Sequence, residues 1–151
     1  MDYITRYFNE MKEIISRIDI NQIENIIEML KKIRNKNGRL FFLGIGGSAA
    51  NASHAVNDFR KICNFEAYTP LDNMSEFSAR VNDDGWENVF LGWLKNSRLG
   101  ENDALFIFSV GGGNLEKNIS PNLVKAIDYA KKKGAKIIGV VGRDGGYTYL
   151  K

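Results

Sequence analysis

The stretch that decides the fold is Leu40-Phe41-Phe42-Leu43, followed directly by Gly44-Ile45-Gly46-Gly47-Ser48. A short run of consecutive apolar residues that ends at a glycine is typical of a strand buried on both faces of a sheet. The same pattern recurs at residues 104–108 and 137–141. Three such strands require a layer of helices on each face of the sheet.

The segments between these strands have the features of helices. Residues 48–61 and 85–97 look helical, and residues 121–133 combine Ser120 as a predicted N-cap, Pro121 in the first turn and Gly134 as the stop. Alternating strands and helices indicate a parallel sheet. We therefore predict a three-layer α/β fold with a parallel sheet and helices on both faces.

Two amphipathic helices are predicted before the first strand. Their apolar residues recur at steps of three and four, and Asn21 begins a capping-box-like start for the second helix, which Gly38 ends. The two stripes are Ile4, Phe8, Met11, Ile15 and Ile18, and then Ile23, Ile26, Ile27, Leu30 and Ile33. Two interpretations stay open: the helices pack on their own sheet, or they pack against another subunit.

Length and composition place the chain among single globular domains. It has 151 residues, of which 44% are apolar and 26% charged, values close to the globular average. No apolar run approaches the roughly 20 residues of a membrane-spanning helix, and the N-terminus lacks the apolar core of a signal peptide. We expect one domain, with a helical hairpin at 1–37 and an α/β core at 38–151, located in the cytoplasm without membrane contact.

Charge and cysteine content exclude several classes of function. The net charge is +3, and the basic clusters at 31–36 and 131–133 fall in predicted last helical turns, where cations suit the helix dipole. No aromatic residues interleave with them, so nucleic-acid binding is not expected. Cys63 is the only cysteine, which rules out an internal disulfide framework or a cysteine zinc site, and we interpret it as a packing residue.

Two glycine-rich turns come directly after predicted strands. The first is Gly44 to Ser48, and the second is Ser109-Val110-Gly111-Gly112-Gly113-Asn114. Ligands of parallel sheets bind at the carboxyl ends of the strands, where glycines and helix N-termini let an anion approach the backbone closely. Neither turn has the Gly-Lys-Ser/Thr ending of a P-loop, and the dinucleotide fingerprint fails at Ala49. Glycines also serve plain tight turns, but two such turns together favour a phosphate pocket.

The helix predicted after the first turn carries a His-x-x-x-Asp pair. His54, the only histidine, and Asp58 are four residues apart and therefore share one helix face. Such a pair can act in acid–base catalysis or as half of a metal site, whereas a solvated helix pair is the structural alternative. A polar cluster, Asn82-Asp83-Asp84-Gly85, either reaches sugar hydroxyls or caps the next helix through Asp84.

These motifs resemble those of a known family. The run from Gly44 to His54 is similar to the Gly-Asn-Gly-Gly-Ser…His signature of phosphoheptose isomerases, which are sugar isomerase (SIS) domain proteins. The resemblance continues through Asn82-Asp83, Ser109 with its glycines, Ser120-Pro121-Asn122 and Gly142-Arg143-Asp144-Gly145-Gly146. It implies an SIS-type, flavodoxin-like fold. It also implies a cytoplasmic homotetramer that interconverts sedoheptulose 7-phosphate and glycero-manno-heptose 7-phosphate for heptose biosynthesis, with zinc in several members.

The resemblance also assigns roles to individual residues. The catalytic glutamate of the family falls on Asp58, and its metal-binding histidine falls on His54, so both are catalytic candidates and zinc ligands. The residues implied to contact the sugar phosphate are Gly46, Gly47, Ser48, Asn82, Asp83, Ser109, Val110, Gly111, Gly112 and Ser120.

Several positions depart from the family pattern. Asp58 is one methylene shorter than glutamate, Ile45 replaces the signature asparagine, and residues 115–119 form an insertion before Ser120. The family also continues with a further strand and helix that bring a second histidine. Two function classes therefore stand: a phosphoheptose isomerase, or a non-catalytic sugar-phosphate-binding or assembly module of SIS type.

Overall fold

The computed structural model describes residues 2–150, and the chain divides into two compact units at 1–32 and 33–151. The first unit holds α1 (Tyr3–Ser16) and the larger part of α2 (Ile20–Asn35). The Asp2 carboxylate caps α1 by accepting the Thr5 N–H at 3.0 Å. The capping residue predicted for α2 was wrong: Asp19 accepts the Asn21 N–H at 2.9 Å, so the helix begins before Asn21.

The second unit contains a four-stranded parallel sheet in the order β2-β1-β3-β4. The strands are β1 (Leu40–Leu43), β2 (Ala67–Tyr68), β3 (Ala104–Ser109) and β4 (Lys136–Val141). The three predicted strands are confirmed, with one more residue in β3 and in β4. Strand β2 was not predicted, because two residues carry no periodic signal. This strand order is that of a flavodoxin-like sheet.

Four helices lie between the strands, and a short fifth helix follows β4. They are α3 (Gly47–Lys61), α4 (Met74–Asp84), α5 (Val89–Asn96), α6 (Pro121–Lys132) and α7 (Gly146–Tyr149), with 3-10 turns at Pro70–Asp72 and Trp86–Asn88. The predicted helix at 85–97 was too long, because Gly85 takes a φ of +82° and separates α4 from the 3-10 turn that precedes α5. Asp84 therefore ends α4 and is not an N-cap.

The sheet is the middle of three layers, as predicted. Phe41 and Leu43 of β1 face one side, where they pack with α5 and α6 residues such as Phe90 and Ile127. Phe42 faces the other side, and its ring lies 5.2 Å from that of Phe59 on α3. Successive strand residues point to opposite faces, so a run of four buried apolar residues serves both layers.

A partly buried ion pair connects the amino ends of the two central strands. Arg39 precedes β1, and its Nη2 lies 2.8 Å from Oδ2 of Asp103, which precedes β3 and is 5% exposed. The Asp103 carboxylate also accepts the backbone N–H groups of Arg39 and Gly100. Its hydrogen bond raises the pKa of the Arg39 guanidinium above the usual value. These contacts fix the end of the sheet opposite the glycine-rich turns.

None of the helices between residues 2 and 150 has both the length and the apolar character needed to cross a membrane.

Candidate functional site

The two glycine-rich turns lie at the same edge of the sheet. All strands are parallel, so their carboxyl ends share that edge, and β1 and β3 are direct neighbours with Leu43 beside Ile107. The turn after β1 and the turn after β3 therefore leave adjacent strands. This edge is where flavodoxin-like sheets bind ligands.

The first turn offers an open backbone at a helix N-terminus. Gly46 has a φ of +61°, and a Cβ placed on Gly46 or Gly47 would meet no atom within 4 Å. Helix α3 begins at Gly47 without a side-chain cap and without an acidic residue in its first turn. Its positive dipole end therefore carries no carboxylate that would repel an anion. Ile45, in contrast, packs against the core and contributes no polar group.

The second turn is packed against the segment after β4. A Cβ on Gly112 would overlap the Gly145 carbonyl group, and one on Gly146 would overlap the carbonyl oxygens of Gly111 and Gly113. Within the turn, the Ser109 hydroxyl oxygen accepts the Gly112 N–H at 3.0 Å. Close backbone packing thus accounts for these glycines by itself, without a ligand. Val110 is 66% exposed.

The pair on α3 is in contact but open to solvent. Nε2 of His54 lies 3.3 Å from Oδ2 of Asp58, with side chains 78% and 42% exposed. Asp58 also accepts a hydrogen bond from the Asn57 side-chain amide at 3.1 Å. His54 is seven residues after Gly47, which places it about 10 Å along the helix axis from the first turn.

The remaining predicted residues lie outside the two glycine-rich turns. Asn82 and Asp83 are exposed in the last turn of α4, where the Asn82 amide donates to the Asp83 carboxylate at 2.7 Å. Asp84 lies 3.5 Å from Arg80. Ser120 is at the N-cap position of α6 with a φ of +49°, and its side chain makes no capping hydrogen bond, contrary to the prediction. The insertion forms a small loop closed by Asn114 and Ile119.

The ligand set for zinc is incomplete within residues 2–150. No group of three or more His, Cys, Asp or Glu side chains in this described part of the chain could hold a metal ion. A protein zinc site needs three or four protein ligands. His54 and Asp58 supply two, so these residues alone do not fit a complete zinc site.

Comparison with known proteins identifies the family. Residues 6–142 match the model of the SIS domain. The chain is 30% identical over 152 residues to the phosphoheptose isomerase of Thermodesulfovibrio yellowstonii, covering 95% of this chain and 72% of that protein. It belongs to the phosphoheptose isomerase family of SIS domain enzymes.

Other members of the phosphoheptose isomerase family agree with this assignment. The enzyme of Vibrio parahaemolyticus is 31% identical over 155 residues, covering 96% of this chain and 77% of that protein. The structure of phosphoheptose isomerase GmhA from Neisseria gonorrhoeae has the same fold, with a TM-score of 0.83 and 24% identity over 97% of this chain and 77% of that chain. The predicted family and fold class are confirmed.

One residue at this edge was not predicted from the sequence. Thr148 is 7% exposed, and both its N–H and its hydroxyl donate to the Gly112 carbonyl oxygen, at 3.0 and 2.8 Å. The only sequence signal near Thr148 was the motif from Gly142 to Gly146. It predicted a turn, but it gave no reason to expect a contact with the turn from Ser109 to Gly113.

Proposed function

We propose that this SIS domain isomerase acts on a seven-carbon sugar phosphate and interconverts sedoheptulose 7-phosphate and glycero-manno-heptose 7-phosphate in heptose biosynthesis. The observation that supports this most strongly is the uncapped N-terminus of α3, with open backbone at Gly46 and Gly47. Helix α3 follows β1, and β1 is the direct neighbour of β3, the strand that precedes the second turn. Such a helix end binds a phosphate dianion through its free amides.

The position of the acid–base pair suits a long substrate. In a heptose 7-phosphate the reacting atoms, C1 and C2, lie at the opposite end of the carbon chain from the phosphate. His54 and Asp58 lie two to three helical turns from Gly47 on the same helix. A substrate whose phosphate is held at the first turn could therefore extend along α3 toward the pair.

In the proposed mechanism Asp58 moves a proton between two carbons. Starting from the ketose, the Asp58 carboxylate removes a proton from C1 while the C2 carbonyl oxygen gains one, which forms an enediol. Asp58 then returns its proton to C2 as O1 loses its own, which forms the aldose. His54, in contact with Asp58 at 3.3 Å, is the acid partner for the substrate oxygens.

Zinc and assembly remain proposals that extend beyond one chain. A zinc ion held by His54 and Asp58 requires further ligands from outside residues 2–150, so no step above depends on it. The exposed apolar residues of α1 support a homo-oligomer, which we propose to be a tetramer. We also propose that the protein acts in the cytoplasm, where phosphorylated sugars are metabolised.

A non-catalytic sugar-phosphate-binding or assembly module is the second candidate. The open position of Asp58, 42% exposed, favours it, because proton transfer from carbon benefits from a site that excludes water. As a sugar-phosphate-binding module it shares the phosphate-binding edge with the first candidate and differs in turnover, whereas an assembly module needs neither binding nor turnover.

One pair of measurements separates these candidates. Calorimetry with sedoheptulose 7-phosphate measures binding, and a discontinuous assay of heptose 7-phosphate formation measures turnover on the same preparation. Binding with turnover supports the isomerase. Binding without turnover, both in the 151-residue chain and in a form extended at its carboxyl end by the corresponding segment of a relative, supports the module. Absence of binding to sedoheptulose 7-phosphate and to inorganic phosphate would contradict the isomerase and the sugar-phosphate-binding module, and would favour the assembly module.

A further inference from the structure

Three carbonyl oxygens of the second turn accept hydrogen bonds from the segment that follows β4. The Gly112 carbonyl accepts two hydrogen bonds from Thr148, and the Gly113 carbonyl accepts the Tyr147 N–H at 2.8 Å. The Ser109 carbonyl accepts the Gly142 N–H at 3.1 Å. The segment after β4 therefore keeps these three oxygen atoms pointing toward itself.

The direction of these oxygens decides what the other side of the turn presents. In a trans peptide the N–H points away from the C=O of the same unit, and no cis peptide occurs between residues 2 and 150. Holding the Gly112 oxygen against Thr148 therefore directs the Gly113 N–H away from it. A peptide rotated the other way would present an oxygen atom, which repels phosphate.

Thr148 and the residues packed around it keep the Gly112 carbonyl oxygen in place. Its hydroxyl and its backbone N–H act on one oxygen, and the side chain is buried at 7% exposure. Its methyl group packs beside Gly139 of β4, since a Cβ on Gly139 would lie 2.8 Å from Thr148 Cγ2. Glycines at 112 and 113, with φ of +66° and +81°, have little conformational preference of their own to fix this peptide.

We propose that Thr148 is a positioning residue for phosphate binding: its hydroxyl fixes the Gly112–Gly113 peptide so that the second turn offers the Gly113 N–H, and not the Gly112 carbonyl oxygen, to the anion. This inference rests on the proposed function. It assigns the role to a residue outside both glycine-rich turns that makes no contact with the ligand itself.

The test compares three single variants of the full 151-residue chain. Thr148→Val removes the hydroxyl and keeps the shape, and Thr148→Ser keeps the hydroxyl. Tyr147→Phe removes a side-chain hydrogen bond to Asp128 and keeps the backbone N–H that residue 147 donates to Gly113. One readout is the dissociation constant for inorganic phosphate and for sedoheptulose 7-phosphate. The other is the chemical shift of the Gly113 amide and the hydrogen exchange of the residue-148 amide, which donates to the Gly112 carbonyl oxygen, both by NMR.

We expect Thr148→Val to weaken phosphate binding about three- to tenfold, the effect of one lost hydrogen bond. It should also move the chemical shift of the Gly113 amide and speed exchange at the residue-148 amide. Thr148→Ser and Tyr147→Phe should bind within about twofold of the unmodified chain. Wild-type affinity in Thr148→Val, or equal loss in Thr148→Ser, would overturn the positioning role. Unchanged amide exchange and shifts in Thr148→Val would overturn the hold on the peptide itself. Failure of the unmodified chain to bind either probe would instead contradict the proposed function.

Discussion

At the scale of single residues, the glycines of the two turns have different reasons to be glycine. Gly112 and Gly146 lie where any Cβ would overlap a neighbouring carbonyl group, whereas Gly46 and Gly47 face open space. In the second turn glycine is required by packing, so its presence carries little information about a ligand. In the first turn the protein itself leaves the space unused, which is where an anion could approach the backbone.

Replacing Gly47 by valine tests that approach directly. A β-branched side chain over the first amides of α3 should weaken sugar-phosphate binding at least about tenfold, since it keeps the anion from the helix end. The dissociation constant from calorimetry is the measurement. Gly100→Val, at a position without close neighbours at the other edge of the sheet, should bind normally. Equal affinity of both variants would exclude the first turn as the phosphate site.

Asp58→Asn separates catalysis from binding. In a form extended at its carboxyl end by the corresponding segment of a relative, loss of the carboxylate should reduce turnover at least about a hundredfold and leave substrate affinity within about twofold, because a base acts mainly in the transition state. Asp58→Glu, which restores the carboxylate of the family, should keep measurable turnover. Undiminished turnover in Asp58→Asn would reduce the pair to a helix-surface contact, and a parallel loss of affinity would make Asp58 a structural residue.

At the scale of elements, the central strands depend on polar contacts at their amino ends as well as on the apolar core. Asp103→Asn leaves the Arg39 guanidinium without its carboxylate partner in a half-buried site. We expect it to lower the free energy of unfolding by about 2 kcal/mol, because a charged hydrogen bond is lost where water cannot fully replace it. Urea denaturation measures the effect. Glu101→Gln, at an exposed neighbouring position, is the control, and equal stability of the two variants would contradict the assigned role.

Helix α1 has no buried residue, although it carries a continuous apolar stripe. Ile4, Ile14 and Ile15 are 64%, 65% and 63% exposed. Monomeric proteins rarely expose so many large apolar side chains on one helix. We expect a dimer or tetramer by light scattering at micromolar concentration, built partly through this stripe. Ile4→Asp combined with Ile15→Asp should shift the mass toward the monomer, and Ser16→Asp should not. A monomeric mass for the unmodified chain would refute the assembly.

At the scale of the whole molecule, the proposed zinc site needs more ligands than residues 2–150 bring together. The chain covers 72% of the Thermodesulfovibrio relative and 77% of the Vibrio relative, and its described residues supply two of the three or four ligands that zinc needs. We expect the 151-residue chain to bind zinc weakly and to show little or no turnover.

The matched experiment adds length from a relative. A form extended at its carboxyl end by the corresponding segment of the Thermodesulfovibrio relative should gain both zinc affinity and isomerase turnover. Zinc affinity by competition with a chelating dye and turnover by product formation are measured on both forms. Full turnover of the short chain, or no gain on extension, would contradict this expectation.

The core of the fold was predictable because its signals are local. Leu40 to Leu43 and the two similar runs are apolar without interruption, and only a strand covered on both faces uses such a pattern. Pro121 and Gly134 mark helix ends by backbone geometry that each residue imposes by itself. The shared location of the two glycine-rich turns was also predictable, because parallel strands bring their carboxyl ends to one edge of the sheet.

The tertiary structure decided the contacts between segments far apart in the sequence. The two-residue strand β2 exists because β1 pairs with it, and nothing within residues 67–68 announces it. The break at Gly85 shows only as a φ of +82°, a value that glycine permits but does not require. The hold of Thr148 on Gly112 joins residues 36 positions apart. Local sequence determines which conformations each segment can take, and the direction of a peptide group in a glycine turn is fixed only when another part of the chain packs against it.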